Sequence, residues 1–157
     1  MRENSVYLNE YSVDCALLSA AGAVDAVCKV ADGTYQNAAA LIRPPGHHAE
    51  YDRAMGFCLF NNIAVAARYA LKHYELSRVA IIDFDVHHGN GTENIIAGDR
   101  QILMCSSFQH PFYPHSGHPV SASNILSAPL KAGATGEEFR EKVNYWFDAL
   151  RNFMPEL

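Results

Sequence analysis

Apolar residues recur at helical spacing at Leu17, Leu18, Ala21, Val24, Val27 and Cys28, which predicts an amphipathic helix capped at Ser12 and stopped at Gly33. Ala38 to Ile42 is an unbroken apolar run and predicts a short buried strand. Arg43-Pro44-Pro45-Gly46 ends it, because two prolines cannot continue a ladder or a helix. Asn61 or Asn62 is placed to cap a second helix that runs to about Tyr74. Val79-Ala80-Ile81-Ile82 reads as a buried strand, Thr92 to Ile96 as a short helix, and Ile102 to Cys105 as a third strand. Ser106 to Ser123 is a long loop rich in Pro, His and Ser. Thr135 and Glu138 form a capping box for a last helix whose buried face would be Phe139, Val143, Trp146, Phe147, Leu150 and Phe153. Met154-Pro155 ends it. Helix and strand alternate, so the pattern predicts an α/β domain: a parallel sheet with helices on both faces. Ligands of such sheets bind beyond the carboxyl ends of the strands. The loops after Ile42, Ile82 and Cys105 all leave predicted strands at that end.

Composition narrows the class. The chain has 157 residues, 49% hydrophobic and 18% charged, enough for one domain with its own core and unlike a disordered or collagen-like chain. Lys plus Arg number 12 against 17 Asp plus Glu, a net charge of −5 that argues against direct nucleic-acid binding. The apolar stretch from Val13 to Val30 is broken by Asp14, Asp25 and Lys29, so no membrane span is predicted. Met1-Arg2-Glu3-Asn4-Ser5 lacks the apolar core of a signal peptide, and a cytoplasmic protein is expected. Cys15, Cys28, Cys58 and Cys105 are scattered and read as reduced, mostly buried thiols.

Candidate chemistry concentrates in two loops. In Asp83-Phe84-Asp85-Val86-His87-His88-Gly89-Asn90-Gly91, which follows four apolar strand residues, an extended backbone would send Asp83, Asp85 and His87 to one face. Two carboxylates and an imidazole at the end of a buried strand call for a compensating cation. Mixed oxygen and nitrogen donors suit zinc or another first-row metal better than calcium. A hydrogen-bonded acidic turn would account for one Asp but not for the alternating triplet. The second loop is Arg43-Pro44-Pro45-Gly46-His47-His48. An isolated His-His pair is ordinarily a surface feature, but this one follows a strand end and a rigid turn. Two imidazoles beside a metal can supply the base that activates water and the acid for the leaving group, which points to hydrolysis. His73 reads as a solvated residue at a helix end. His110, His115 and His118 share their loop with Phe108, Phe112 and Tyr113, and read equally as a surface loop packing its own aromatics or as a wall of a substrate channel, without binding the metal.

These residues resemble the histone deacetylase family, zinc-dependent deacetylases with an arginase-like α/β fold. The resemblance rests on Arg43 to Ala49, Gly56-Phe57-Cys58 with Asn61-Asn62, Asp83 to Gly91, and the Ser106 to Gly117 loop with Pro111-Phe112-Tyr113-Pro114. Asn at position 90 is similar to the class II and bacterial branch. The resemblance implies that Asp85 and His87 are zinc ligands. It also implies that His47 and His48 are the tandem general base and acid, oriented by Asp83 and Asn90 respectively. Asp83, Asp85, His87 and Ser106 would surround a monovalent cation, usually potassium. Gly56, Phe57 and Tyr113 would belong to the channel that admits an acetyl-lysine peptide or a small acetylated amine, with zinc polarising the acetyl carbonyl for attack by water. Phe108 stands where the family commonly has His, and His115 where it commonly has Gly, so the channel mouth would differ.

The resemblance also implies that residues 1–157 are the middle portion of a deacetylase domain, an incomplete arginase/deacetylase-like fold. The family's N-terminal elements would precede it, and the third zinc ligand, an Asp, and the transition-state Tyr would follow it. The isolated chain is then expected to be impaired, and its open sheet edges and apolar surface to favour a homo-oligomer or pairing with the rest of the domain. Two other functions fit parts of the sequence. One is a non-catalytic module that binds acetyl-lysine or serves in assembly; the other is a magnesium-dependent phosphatase of the haloacid dehalogenase type with Asp83 as nucleophile, which leaves both His-His pairs unexplained.

Overall fold

The computed structural model describes residues 6–157; the leader reading of Met1-Arg2-Glu3-Asn4-Ser5 lies outside them. Eight elements follow in order: α1 Ser12–Ala31, α2 Asn62–His73, β1 Val79–Asp83, α3 Asn90–Ile96, β2 Ile102–Gln109, β3 Ile125–Leu130, α4 Gly136–Val143 and α5 Tyr145–Phe153. The strands form one sheet in the order β1-β2-β3, all parallel, with Ile81 opposite Met104, Asp83 opposite Ser106 and Phe108 opposite Pro129. No helix among the described residues is long and apolar enough to cross a membrane.

The central strand β2 explains the layering. It is buried from Ile102 to Phe108 and sends alternate side chains to opposite faces. Ile102 and Met104 join Ala67, Ala70, Val79, Ile81, Ile96 and Ile125 in a core beneath α2 and α3. Leu103 and Cys105 join Ala128, Val143 and Trp146 beneath α4 and α5. Burying Ile96, Ile102 and Met104, each at 0% exposure, stabilises the first core by about 1.5–3 kcal/mol per side chain.

Several elements differ from the sequence pattern. Ala38 to Ile42 is not a strand: no backbone partner pairs with it among the described residues, and Leu41 is 99% exposed. β3, which the pattern missed, carries a proline; it is tolerated because β3 is an edge strand. β2 continues four residues beyond Cys105, to Gln109. Ser12 does not cap α1; its hydroxyl instead accepts from Asn9 N at 2.8 Å, in a turn before the helix. α1 buries its small residues Ala16, Ser19, Ala20 and Ala23, whereas Leu17 and Leu18 stand exposed. Small side chains let α1 lie close against its neighbours, and a Cβ at Gly22 would sit 2.9 Å from Ile42 Cγ2. The Thr135–Glu138 capping box forms, but the last helix divides at Asn144, whose N–H bonds only three residues back to Glu141 O. Phe147 is on the exposed side of α5. Cys58 and Cys105 are buried, Cys28 is half-buried and Cys15 is exposed, all as free thiols.

Candidate active site

The loop carrying the tandem histidines is fixed from three directions. Ser19 Oγ and Asn62 Nδ2 donate to Pro44 O, at 2.8 and 3.1 Å. The backbone N–H groups of Gly91 and Thr92, in the first turn of α3, donate to His47 O, at 3.0 and 3.2 Å. Asn61 caps α2 through Ala64 N and donates to Ala49 O and Thr92 Oγ1. Gly91 is required at this contact, because a Cβ there would run into the backbone of His48 and Ala49.

β1 delivers the acidic residues. Beyond Asp83 the strand ends, and the side chains are grouped by two successive turns rather than by strand alternation. Asp83 Oδ1 accepts from Asp85 N at 3.1 Å, and Asp85 Oδ1 accepts from His87 N at 2.7 Å. Phe84 and Val86 are exposed. Asp83 Oδ2 lies 2.9 Å from His47 Nδ1, and Asp85 Oδ1 lies 2.9 Å from His87 Nδ1. His48 Nδ1 lies 2.8 Å from Asn90 Oδ1. The rings of His47 and His48 are 4.1 Å apart, and His87 is 5.9 Å from His48.

The histidine pair is electrostatically unequal. Burial disfavours charge on His47, but the hydrogen bond to Asp83 and the fields of Asp83 and Asp85 outweigh it, and its pKa is raised. Burial and the neighbouring His47 lower the pKa of His48; the Asn90 hydrogen bond only partly offsets them. Burial pushes the Asp85 carboxyl up, but the His87 N–H, the His47 charge and the His87 ring more than compensate and hold it below its ordinary value.

Tyr113 stands edge-on to His48 with centroids 5.2 Å apart, and Phe112 stacks on His87 at 5.2 Å. The long loop therefore forms a wall of the site through these two aromatics, not through its histidines: His115 and His118 are exposed, and His110 faces His118. His73 is exposed and stacks on Tyr69 at the end of α2. Gly56 lies directly beneath His48 with φ +54, and a Cβ there would overlap the imidazole. Phe57 is 64% exposed and lines a groove with Tyr7, Tyr11 and Arg43.

Glu93 and Ser116 went unrecognised in the sequence. Both ring nitrogens of His88 are engaged outside the histidine pair, with Nδ1 2.8 Å from Ser116 Oγ and Nε2 2.8 Å from Glu93 Oε2. This ties the aromatic loop to α3. No sequence spacing pointed to it, because His88 lies before α3 and five residues do not return to one helix face.

An open cleft of about 680 Å³ runs along the outer edge of β1 past Ile42, His47, Ile82, Asp83, Phe84 and Asp85. Asp85 and His87 offer one carboxylate oxygen and one imidazole nitrogen, the donor types zinc takes. No group of three or more His, Cys, Asp or Glu side chains able to hold a metal converges among the described residues. Ser106, opposite Asp83 in the sheet, is 0% exposed, and its Oγ has no hydrogen-bond partner among them. An orphaned buried oxygen beside a carboxylate fits a hard monovalent cation.

Residues 1–157 match the profile of the histone deacetylase domain. A probable deacetylase of Archaeoglobus fulgidus is 41% identical over 131 residues, 80% of this chain and 36% of that protein. Histone deacetylase 18 of Arabidopsis thaliana is 45% identical over 117 residues, 71% of this chain and 17% of that protein. The crystal structure of acetylpolyamine aminohydrolase from Burkholderia pseudomallei superposes with a TM-score of 0.88 at 35% identity, covering 97% of this chain and 46% of that one. The chain thus spans less than half the length of these relatives, and its fold is the arginase/deacetylase fold over that part. With the profile matched from end to end, the chain belongs to the histone deacetylase family.

Proposed function

We propose that the chain carries the proton-transfer part, and half of the metal-binding part, of a zinc-dependent amidohydrolase that removes acetyl groups from acetyl-lysine or a similar acetylated amine. The observation that supports this most is the unequal histidine pair beside the Asp85–His87 donors. His48, held low, is the group suited to take a proton from water. His47, whose pKa Asp83 and Asp85 raise, is the member of the pair better disposed to carry the proton and give it to the departing amine. This division reverses the order the resemblance implied, giving the base role to His48 and the acid role to His47. Asp85 and His87 would hold zinc, which supplies Lewis-acid polarisation of the acetyl carbonyl when bound. Asp83, Asp85, His87 and the orphaned Ser106 hydroxyl would hold potassium. Gly56, Phe57 and Tyr113 would shape the channel. Further ligands must come from outside the described residues, from the remainder of a domain or from a second copy. We place the isolated chain as impaired and the protein as cytoplasmic.

The phosphatase reading fares less well, because both Asp83 oxygens are engaged by Asp85 N and His47 and neither is presented as a nucleophile. Zinc stoichiometry of the wild type against Asp85→Ala, with acetyl-lysine peptide and acetylated polyamine turnover measured in parallel, tests the proposal. Zinc retention lost in Asp85→Ala is expected. Equal zinc in both proteins, or a magnesium-dependent phosphatase activity abolished by Asp83→Asn, would overturn it. Peptide binding without turnover would favour the module that only binds.

A further inference from the structure

The two histidines of the pair are oriented by different chemistry. Asp83 is a carboxylate and can only accept, so His47 Nδ1 must be the protonated nitrogen whichever way Asp83 turns. Asn90 is an amide, and either end of its side chain could face His48. What stands behind Asn90 decides which. Asn90 Nδ2 lies 2.7 Å from Glu50 Oε1, 3.1 Å from Met55 Sδ and 3.5 Å from His48 O, all acceptors. An amide turned the other way would set its carbonyl oxygen against the Glu50 carboxylate. Glu50 is itself held: its N–H donates to Arg53 O at 2.9 Å, and its Oε1 accepts from Arg53 at 2.9 Å. Its side chain is only 18% exposed.

We propose that Glu50, anchored by Arg53, is a positioning residue that fixes the Asn90 amide and, through it, holds neutral His48 in the tautomer protonated at Nδ1, with the Nε2 lone pair free. This rests on the reading of His48 as the proton acceptor, for which a lone pair at Nε2 is the useful one, because Nδ1 is occupied by Asn90. Glu50 touches neither substrate nor reacting atoms; it acts through one hydrogen bond on another.

The test is the tautomer itself, read by long-range ¹H–¹⁵N correlation spectra of the 157-residue chain labelled in its histidines, above the ordinary imidazole pKa. The His48 signals are assigned by their loss in His48→Gln. The wild type is expected to show the Nδ1–H pattern. Glu50→Gln still offers Asn90 an acceptor and should keep it. Glu50→Lys offers a donor, so the Asn90 amide should turn over and the His48 pattern should invert to Nε2–H. Adding Asn90→Asp to Glu50→Lys restores a group that can only accept, and the Nδ1–H pattern should return. Should Glu50→Lys lose its amide dispersion, Glu50→Ala serves: the Nδ1–H to Nε2–H ratio should fall about tenfold or more, as expected for loss of one charge-assisted hydrogen bond. A wild-type Nε2–H pattern, an unchanged pattern in Glu50→Lys, a ratio unmoved in Glu50→Ala, or failure of Asn90→Asp to restore it would overturn the proposal. The readout needs neither zinc nor turnover, so equal zinc in wild type and Asp85→Ala would overturn the functional reading while the His48 tautomer pattern is still read independently.

Discussion

Asn61 joins α2, the histidine loop and α3 through one side chain, and removing it separates two contributions that the structure lets one calculate. Its Oδ1 accepts from Ala64 N at 3.1 Å and caps α2; its Nδ2 donates to Ala49 O at 3.2 Å and to Thr92 Oγ1 at 3.1 Å. Asn61 is 4% exposed, Ala49 1% and Thr92 0%, so water cannot replace the lost partners. Asn61→Ser keeps a good cap but is too short to reach across, leaving a buried acceptor unsatisfied at a cost of about 1–3 kcal/mol. Asn61→Ala loses the cap as well, adding about 1 kcal/mol, for a total of about 2–4 kcal/mol. Urea unfolding of the three proteins, compared at equal slope, gives both differences. Asn61→Ser within about 0.5 kcal/mol of wild type, the range of an indifferent surface change, would refute the claim that this side chain ties the histidine loop to α3.

Two further outcomes follow from the same geometry. Gly56→Ala should lose about 1–2 kcal/mol from its left-handed backbone and a further ~1–3 kcal/mol from overlap with the His48 ring, whereas Gly33→Ala, with φ +70 and open space around it, should show only the first part in the same unfolding assay. Burial raises the Glu93 carboxyl, but His88 and Ser121 outweigh it and hold it below its ordinary value of 4.5. The stability this gives is fully present above the unfolded value and is lost as pH falls through the folded one, so the gap between wild type and Glu93→Gln should narrow in acid. A gap that stays constant from neutral pH into acid would contradict it.

What the sequence made legible was local. The Asp83, Asp85 and His87 spacing and the Pro-Pro-Gly turn before His47 both reported side chains that the backbone itself groups within a few residues. The apolar runs also located β1 and β2, because a strand buried on both faces is apolar throughout. Ala38 to Ile42 shows the limit of that signal: an apolar run states a preference for burial but cannot supply a neighbouring strand. The face of α1 failed for a related reason. Periodicity weighted Leu17 and Leu18, but close approach between helices selects small side chains, and Ala16, Ser19, Ala20 and Ala23 are the buried ones. Pairings across long separations, such as His47 with Asp83 and His48 with Asn90, were available only through the family resemblance. Glu50, Arg53 and Met55 were invisible even to that, because they act through the orientation of one amide.

That a carboxylate stands behind one histidine and a carboxamide behind the other determines how the pair shares protons. The two hydrogen bonds are nearly the same length, 2.9 and 2.8 Å, so distance does not distinguish them. Charge does. Asp83 and Asp85 favour a proton on His47 strongly enough to overcome burial, and that proton then opposes a second one on His48, whose ring is 4.1 Å away. Asn90 contributes a hydrogen bond without a countercharge, so burial prevails at His48. Of the two rings, His47 is therefore the one on which the added proton is favoured, and His48 the one on which it is disfavoured. A carboxylate at position 90 would pull His48 upward as well and blur the division. The asymmetry needed for one imidazole to take a proton while its neighbour keeps one is thus built from a single difference in side-chain chemistry, placed at two matched distances.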